Sequence, residues 1–213
     1  MSSLPGLLSD AGVLAPLSIY NQFAQQDEMD LDPRAAAGRC ERLSRHLDIE
    51  PKLILIAEAA GYQGCRYSGV TFTSERLISE GQIPRTTPQR LTTRSRPWSE
   101  PSATIVWSAL YRLGLVDQVI MWNTLPFHPH KPGSPLTNRT PTDQEIDKHG
   151  LPYMEILARE FRGTPLVAVG KKAEGLMAKL GIKPAACVRH PANGGARQFF
   201  DQLKDYVSFN NRS

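Results

Sequence analysis

The sequence predicts an α/β fold: a parallel sheet with helices on both faces. Three observations carry this expectation. Short continuous apolar runs recur at residues 52–57, 119–122, 166–169 and 185–188, as strands buried on both faces require. Segments with helical apolar spacing stand between these runs. Helix and strand then alternate to the C-terminal end.

In chain order, residues 32–47 (DPRAAAGRCERLSRHL) carry Ala36, Cys40, Leu43 and Leu47 three or four apart, the spacing of an amphipathic helix. The run KLILIA (52–57) is the first strand, followed at once by Gly61 and Gly64. A helix over 103–113 leads to the second strand at 119–122, a helix over 144–161 to the third at 166–169, and a helix over 171–180 to the fourth at 185–188. A helix over about 195–207 closes the chain. Segments 61–101 and 125–141, the latter with five prolines, do not fit the alternation. Irregular stretches of this length inside a compact domain usually carry function. Both leave from the carboxyl edge of the sheet, where open α/β folds bind ligands, and RHPANGG (189–195) leaves the fourth strand in the same way. Three strand ends are therefore expected to converge on one crevice.

With 213 residues, 40% of them hydrophobic and 22% charged, the expectation is one globular domain over 1–213 with an N-terminal helical extension over about 1–50. No apolar run approaches the roughly 18 residues of a membrane span, and MSSLPGLLSD lacks the positive flank of a signal peptide. A cytoplasmic protein is expected. Cys40, Cys65 and Cys187 fit neither a metal clip nor a disulfide framework. The net charge of +4 permits nucleic-acid binding, and residues 83–99 concentrate Arg85, Arg90, Arg94 and Arg96 without an acid. That stretch reads either as a DNA-phosphate contact or as a solvated loop.

At the first strand end stand Glu58, Ala59, Ala60, Gly61 and Tyr62, with Phe72 ten residues on. A carboxylate followed by small residues lets a bulky substrate approach, although Glu58 alone also reads as an exposed strand-end acid or a cap partner. At the second strand end Asn123 offers an amide donor and acceptor, which is what reading a base edge needs, or what stabilises a turn. His128, His130 and His190 raise a metal site, but His-Pro-His has no carboxylate or cysteine cluster to complete the ligand set. His190 fits better as a donor over a substrate oxygen, or as a satisfied structural histidine. No Walker A or Gly-x-Gly-x-x-Gly motif follows a strand.

Taken together, AEAAGYQGCRYSGVTFTSE (57–75), EPSATIVW (100–107), WNTLPFHPHKPG (122–133), NRTPT (138–142) and RHPANGG (189–195) resemble a bacterial branch of the uracil-DNA glycosylase superfamily. The resemblance implies a three-layer αβα domain with a central, mostly parallel four-stranded sheet. It implies a monofunctional DNA glycosylase that works as a monomer on DNA, with no metal or other cofactor. On the matching positions, Glu58 would place or activate water, Phe72 would stack on the flipped base and Asn123 would read its pairing edge. His190 would stabilise charge on the departing base. Ala59, Gly61 and Tyr62 join Phe72 and Asn123 as candidate base contacts. Arg85, Arg90, Arg94, Arg96, Arg189, Asn193, Gly194 and Arg197 are the candidate DNA contacts.

This sequence departs from the usual motifs at Ala57, where glycine is usual, at Ala60, where proline is usual, and at Ala192–Asn193, where Ser-Pro often follows His-Pro. Gly61 aligns with a tyrosine that crowds the pyrimidine 5-position in the branch most selective for uracil. The resemblance thus implies uracil or a modified pyrimidine as substrate, with a phage-defence enzyme acting on modified cytosine and a catalytically silent DNA-binding relative as alternatives.

Overall fold

A computed structural model describes residues 3–14 and 18–210. Residues 1–2 and 15–17 of the expected N-terminal extension, and residues 211–213, lie outside the described residues. The chain runs α1 (Leu4–Asp10), β1 (Ile19–Tyr20), α2 (Ala35–Leu47), β2 (Leu53–Ala59), α3 (Cys65–Ser68) and α4 (Glu75–Ser79). It continues through α5 (Pro101–Leu113), β3 (Val119–Leu125), β4 (His128–Pro129), α6 (Asp143–His149) and α7 (Leu151–Glu160). The last elements are β5 (Leu166–Val169), α8 (Lys171–Lys179), β6 (Ala186–Val188) and α9 (Ala196–Asn210).

The four predicted strands form one parallel sheet in the order β3-β2-β5-β6. Ala57 lies opposite Asn123 and Leu55 opposite Val167, so the strands end together at one edge. Side chains alternate between the two faces of a strand, and here both faces are buried. Leu53, Leu55, Val119, Met121, Val167 and Val169 pack with residues of α5 and α9. Ile54, Ile56, Ile120, Trp122 and Ala168 pack with residues of α1, α2, α7 and α8. The expected three-layer αβα architecture is present.

Three local features differ from the expectation. The helix expected over 144–161 is two helices, because Gly150 presses against the sheet and Pro152 opens a new first turn. A Cβ on Gly150 would lie 2.5 Å from the carbonyl oxygen of Thr124. Segment 61–101 is irregular but holds the short helices α3 and α4. Helix α2 is amphipathic in an unexpected sense: its fully buried face is Ala35, Arg39, Arg42, Leu43 and His46, while Ala36, Cys40 and Leu47 are only partly buried. Its arginines find remote partners. Arg39 donates to both oxygens of Asp30 (2.6 and 3.0 Å) and to the carbonyls of Gln22 and Gln25.

The same face of α2 reaches one amide on the outer edge of β3. There His46 Nε2 accepts the Met121 amide at 2.8 Å, which requires an unprotonated nitrogen. Burial, and secondarily the charge of Arg85, push the His46 pKa down to about 3. A histidine depressed on folding contributes stability that is fully present above its unfolded pKa, about 6.5, and is lost as pH falls toward 3. Urea unfolding at pH 7 and pH 5 should show His46→Gln losing about 2 kcal/mol less than the parent over that interval. Other titrating groups cancel in the comparison. Equal losses would mean that His46 does not titrate with unfolding.

Candidate active site

At the carboxyl edge of the sheet opens a cleft of about 890 Å³ that gathers Glu58, Ala59, Gly61, Phe72, Asn123, His190, Asn193 and Gly194 from the expected set. The strand alternation explains how Glu58 and Asn123 both reach it. Glu58 continues the Ile54–Ile56 face of β2 toward α8, where Lys172 Nζ stands 3.4 Å from its carboxylate. Asn123 continues the Val119–Met121 face of β3 toward α3, and its Nδ2 makes one long contact, 3.7 Å, to Cys65 Sγ. No other hydrogen bond holds the Asn123 amide among the described residues, so its carbonyl and remaining N–H are available to a ligand.

His190 follows β6 on a turn that only glycine permits. A Cβ on Gly195 would collide with the His190 carbonyl, and one on Gly170 would lie 3.0 Å from the His190 Cβ. His190 Nδ1 accepts the Ala192 amide at 3.1 Å, so in the neutral ring the proton sits on Nε2. Burial, then the charges of Arg189 and Lys172, lower its pKa and favour that neutral form. The ring faces Phe72, with centroids 5.8 Å apart and a tilt of 50°. Phe72 itself has a φ of +49°, a strained conformation for an aromatic residue and one that recurs at functional sites.

Other expected residues lie elsewhere. The Tyr62 side chain stands edge-on to Trp98 at 6.0 Å, outside the cleft lining, and only its backbone N–H reaches the site by donating to Asn138 Oδ1. Arg189 lines an adjoining groove, and Arg197 is exposed beside Asp201. The four arginines of the 83–99 loop divide. Arg85 pairs with Asp117 at 2.7 Å, and Arg90 donates to the Arg94 carbonyl and to Glu75, whose buried carboxylate also holds the Leu91 and Thr92 amides. Arg94, lying over Trp98, and Arg96 are exposed. If the loop meets DNA, Arg94→Ala/Arg96→Ala should weaken binding to every sequence and reduce the log–log salt slope by about 1–2. Binding isotherms across a salt series check this, and an unchanged slope returns the loop to solvent.

His128 bonds through both ring nitrogens, to Arg66 and to the Thr137 carbonyl, and burial with the Arg66 charge pushes its pKa down to about 3. Among the described residues no group of three His, Cys, Asp or Glu side chains could hold a metal ion.

The cleft also contains residues that the sequence reading did not single out. Asn138 and Thr140 of NRTPT border it, with Thr140 Oγ1 accepting from Lys172 at 2.7 Å. The same segment fixes its own position through Arg139, bonded to Glu145, and through Thr142, which caps α6. Glu100, the residue before α5, turns its carboxyl into the cleft wall.

The sequence model of the Uracil DNA glycosylase superfamily matches residues 44–210. Among solved structures, that of wild-type SMUG2 from Pedobacter heparinus is similar at a TM-score of 0.63 and 17% identity, covering 92% of this chain and 88% of that one. At that identity the likeness is one of fold. No curated protein matches the chain.

Proposed function

Because this chain belongs to the uracil DNA glycosylase superfamily, we propose that it is a monofunctional DNA glycosylase that flips a pyrimidine into the cleft and hydrolyses its N-glycosidic bond, leaving an abasic site. The observation that most supports this reading is the meeting of Glu58, Asn123 and a neutral His190 in one cleft. Each supplies something the reaction needs.

A base must leave the stack before its glycosidic bond can be reached. Phe72 offers a surface for its face and the Asn123 amide a donor and acceptor for its edge. As the bond from C1′ to the base nitrogen breaks, the bonding electrons go to the base and cationic character grows on the sugar. The Nε2–H of His190 donates to the base oxygen on which negative charge develops, a contact that strengthens toward the transition state. Glu58 stabilises the cationic sugar and accepts a proton from the attacking water, while Lys172, itself bonded to Thr140, stands against the carboxylate. With no side chain at Gly61 the cleft stays open as far as Glu100 and Asn138, so the reading covers both uracil and pyrimidines carrying a 5-substituent.

Duplexes holding one candidate base each, incubated with the protein and then treated with alkali, test the reading. Strand cleavage should appear for at least one such base, and Asn123→Ala should lower its rate about 10–100-fold, the cost of losing hydrogen bonds in a desolvated pocket. Absence of abasic sites across the whole panel would leave a DNA-binding protein without the reaction.

A further inference from the structure

Glu100 is a carboxyl without an evident structural occupation. It is the residue before the first turn of α5, where an acidic side chain ordinarily accepts the free amides of the helix. Here it makes no cap hydrogen bond. Its Oε2 is buried and has no hydrogen-bond partner, and no ion pair joins it to a cation among the described residues. The chain has made space for it: a Cβ on Gly64 would collide with the carboxyl, and one on Gly61 would lie 3.4 Å from Oε1. Burial alone pushes its pKa up to about 7, and its charge adds to the burial that drives the neighbouring Cys65 thiol up to about 12. A buried carboxyl left unpaired destabilises a fold. Its retention in the cleft wall, aimed past two glycines, is accounted for by a ligand group that completes its hydrogen bonding.

We propose that Glu100 is a specificity-determining residue of the cleft, whose carboxyl accepts a hydrogen bond from the edge of the flipped base that faces Gly61 and Gly64. This rests on the glycosylase reading above. In its ionised form the carboxylate is an acceptor only, so above its pKa of about 7 it favours a base that presents a donor at that edge and disfavours one that presents a carbonyl, and the affinities below are compared at pH 8. On a pyrimidine two groups supply the same donor chemistry, a 4-amino group or the hydroxyl of a 5-hydroxymethyl substituent.

The test measures affinity of the full chain for duplexes bearing one 2′-fluoroarabino nucleotide, which resists excision. Cytosine is compared with uracil, and a 5-hydroxymethylpyrimidine with its nearly isosteric 5-ethyl counterpart. The donor-bearing member of one pair should bind about 10–100-fold more tightly, as hydrogen bonds to a charged group allow. That ratio should collapse in Glu100→Ala and survive in part in Glu100→Gln, whose carbonyl still accepts. The pair that responds identifies the donor. A ratio unchanged by both substitutions, or no preference in either pair, overturns the proposal. Thermal melts give a second reading, because removing an unpaired buried carboxyl should raise Tm, whereas a Glu100 that merely supports the fold would lower it. A binding preference without excision of the matching cleavable duplex would count against the glycosylase reading and leave the role of Glu100 in place.

Discussion

On the proposed reading, alanine at His190 is expected to lower the single-turnover excision rate by about 10²–10³-fold while DNA affinity holds, the usual effect of deleting one donor to charge that forms only in the transition state. The magnitude follows from the ring's fixed tautomer. Because Nδ1 is occupied by the Ala192 amide, Nε2 carries the donor hydrogen before the substrate arrives. Burial and the nearby cations lower its pKa and favour the neutral ring, so the donor would stand in place before bond breaking begins. Glu58→Gln should behave alike on the sugar side, since it keeps the shape and removes the charge. Rapid-mixing rates at saturating protein separate the two steps. If binding weakened while the rate at saturation stayed at the wild-type value, both residues would be DNA contacts instead of participants in the reaction.

Arg39→Met destabilises the fold by about 3–5 kcal/mol, the range found when one partner of a buried ion pair is removed. Both side chains of the Arg39–Asp30 pair are 0% exposed, so the loss strands a carboxylate away from water. Two carbonyls of the 22–25 turn lose donors as well. The expected fall in Tm is about 6–20 °C for a chain of this size. Adding Asp30→Asn removes the stranded charge and should recover part of the loss. A fall of only a degree or two would show that water enters and solvates Asp30.

The sheet was legible in the sequence because its signal is local: each strand is a short apolar run, and each run is followed by a turn. That Glu58, Asn123 and His190 would meet at one edge was legible for the same reason, each being a polar residue where an apolar run stops. What escaped depends on partners far along the chain. Arg39 and Arg42 look like the solvent side of α2 until Asp30, Gln22 and Gln89 supply acceptors. Arg85 and Arg90 look free until Asp117 and Glu75 are brought beside them. Glu100 before Pro101 is the pattern of a helix start, and only the glycines across the cleft reveal that its carboxyl turns elsewhere. The break at Gly150 was visible as a residue but not as a reason, since that reason is the Thr124 carbonyl.

The imidazole bonded at the outer edge of β3 also bears on how the protein fails. VIMWNTL is a seven-residue stretch with no charge and no proline, a composition that favours intermolecular β-pairing once its backbone is uncovered. A His46 protonated after the chain opens can no longer accept the Met121 amide, so acid holds this part of the strand uncovered. Between about pH 6.5 and 3 the opened chain binds this proton and the folded one does not, so acid enriches opened chains, which are expected to associate through this edge and to make inactivation depend on protein concentration.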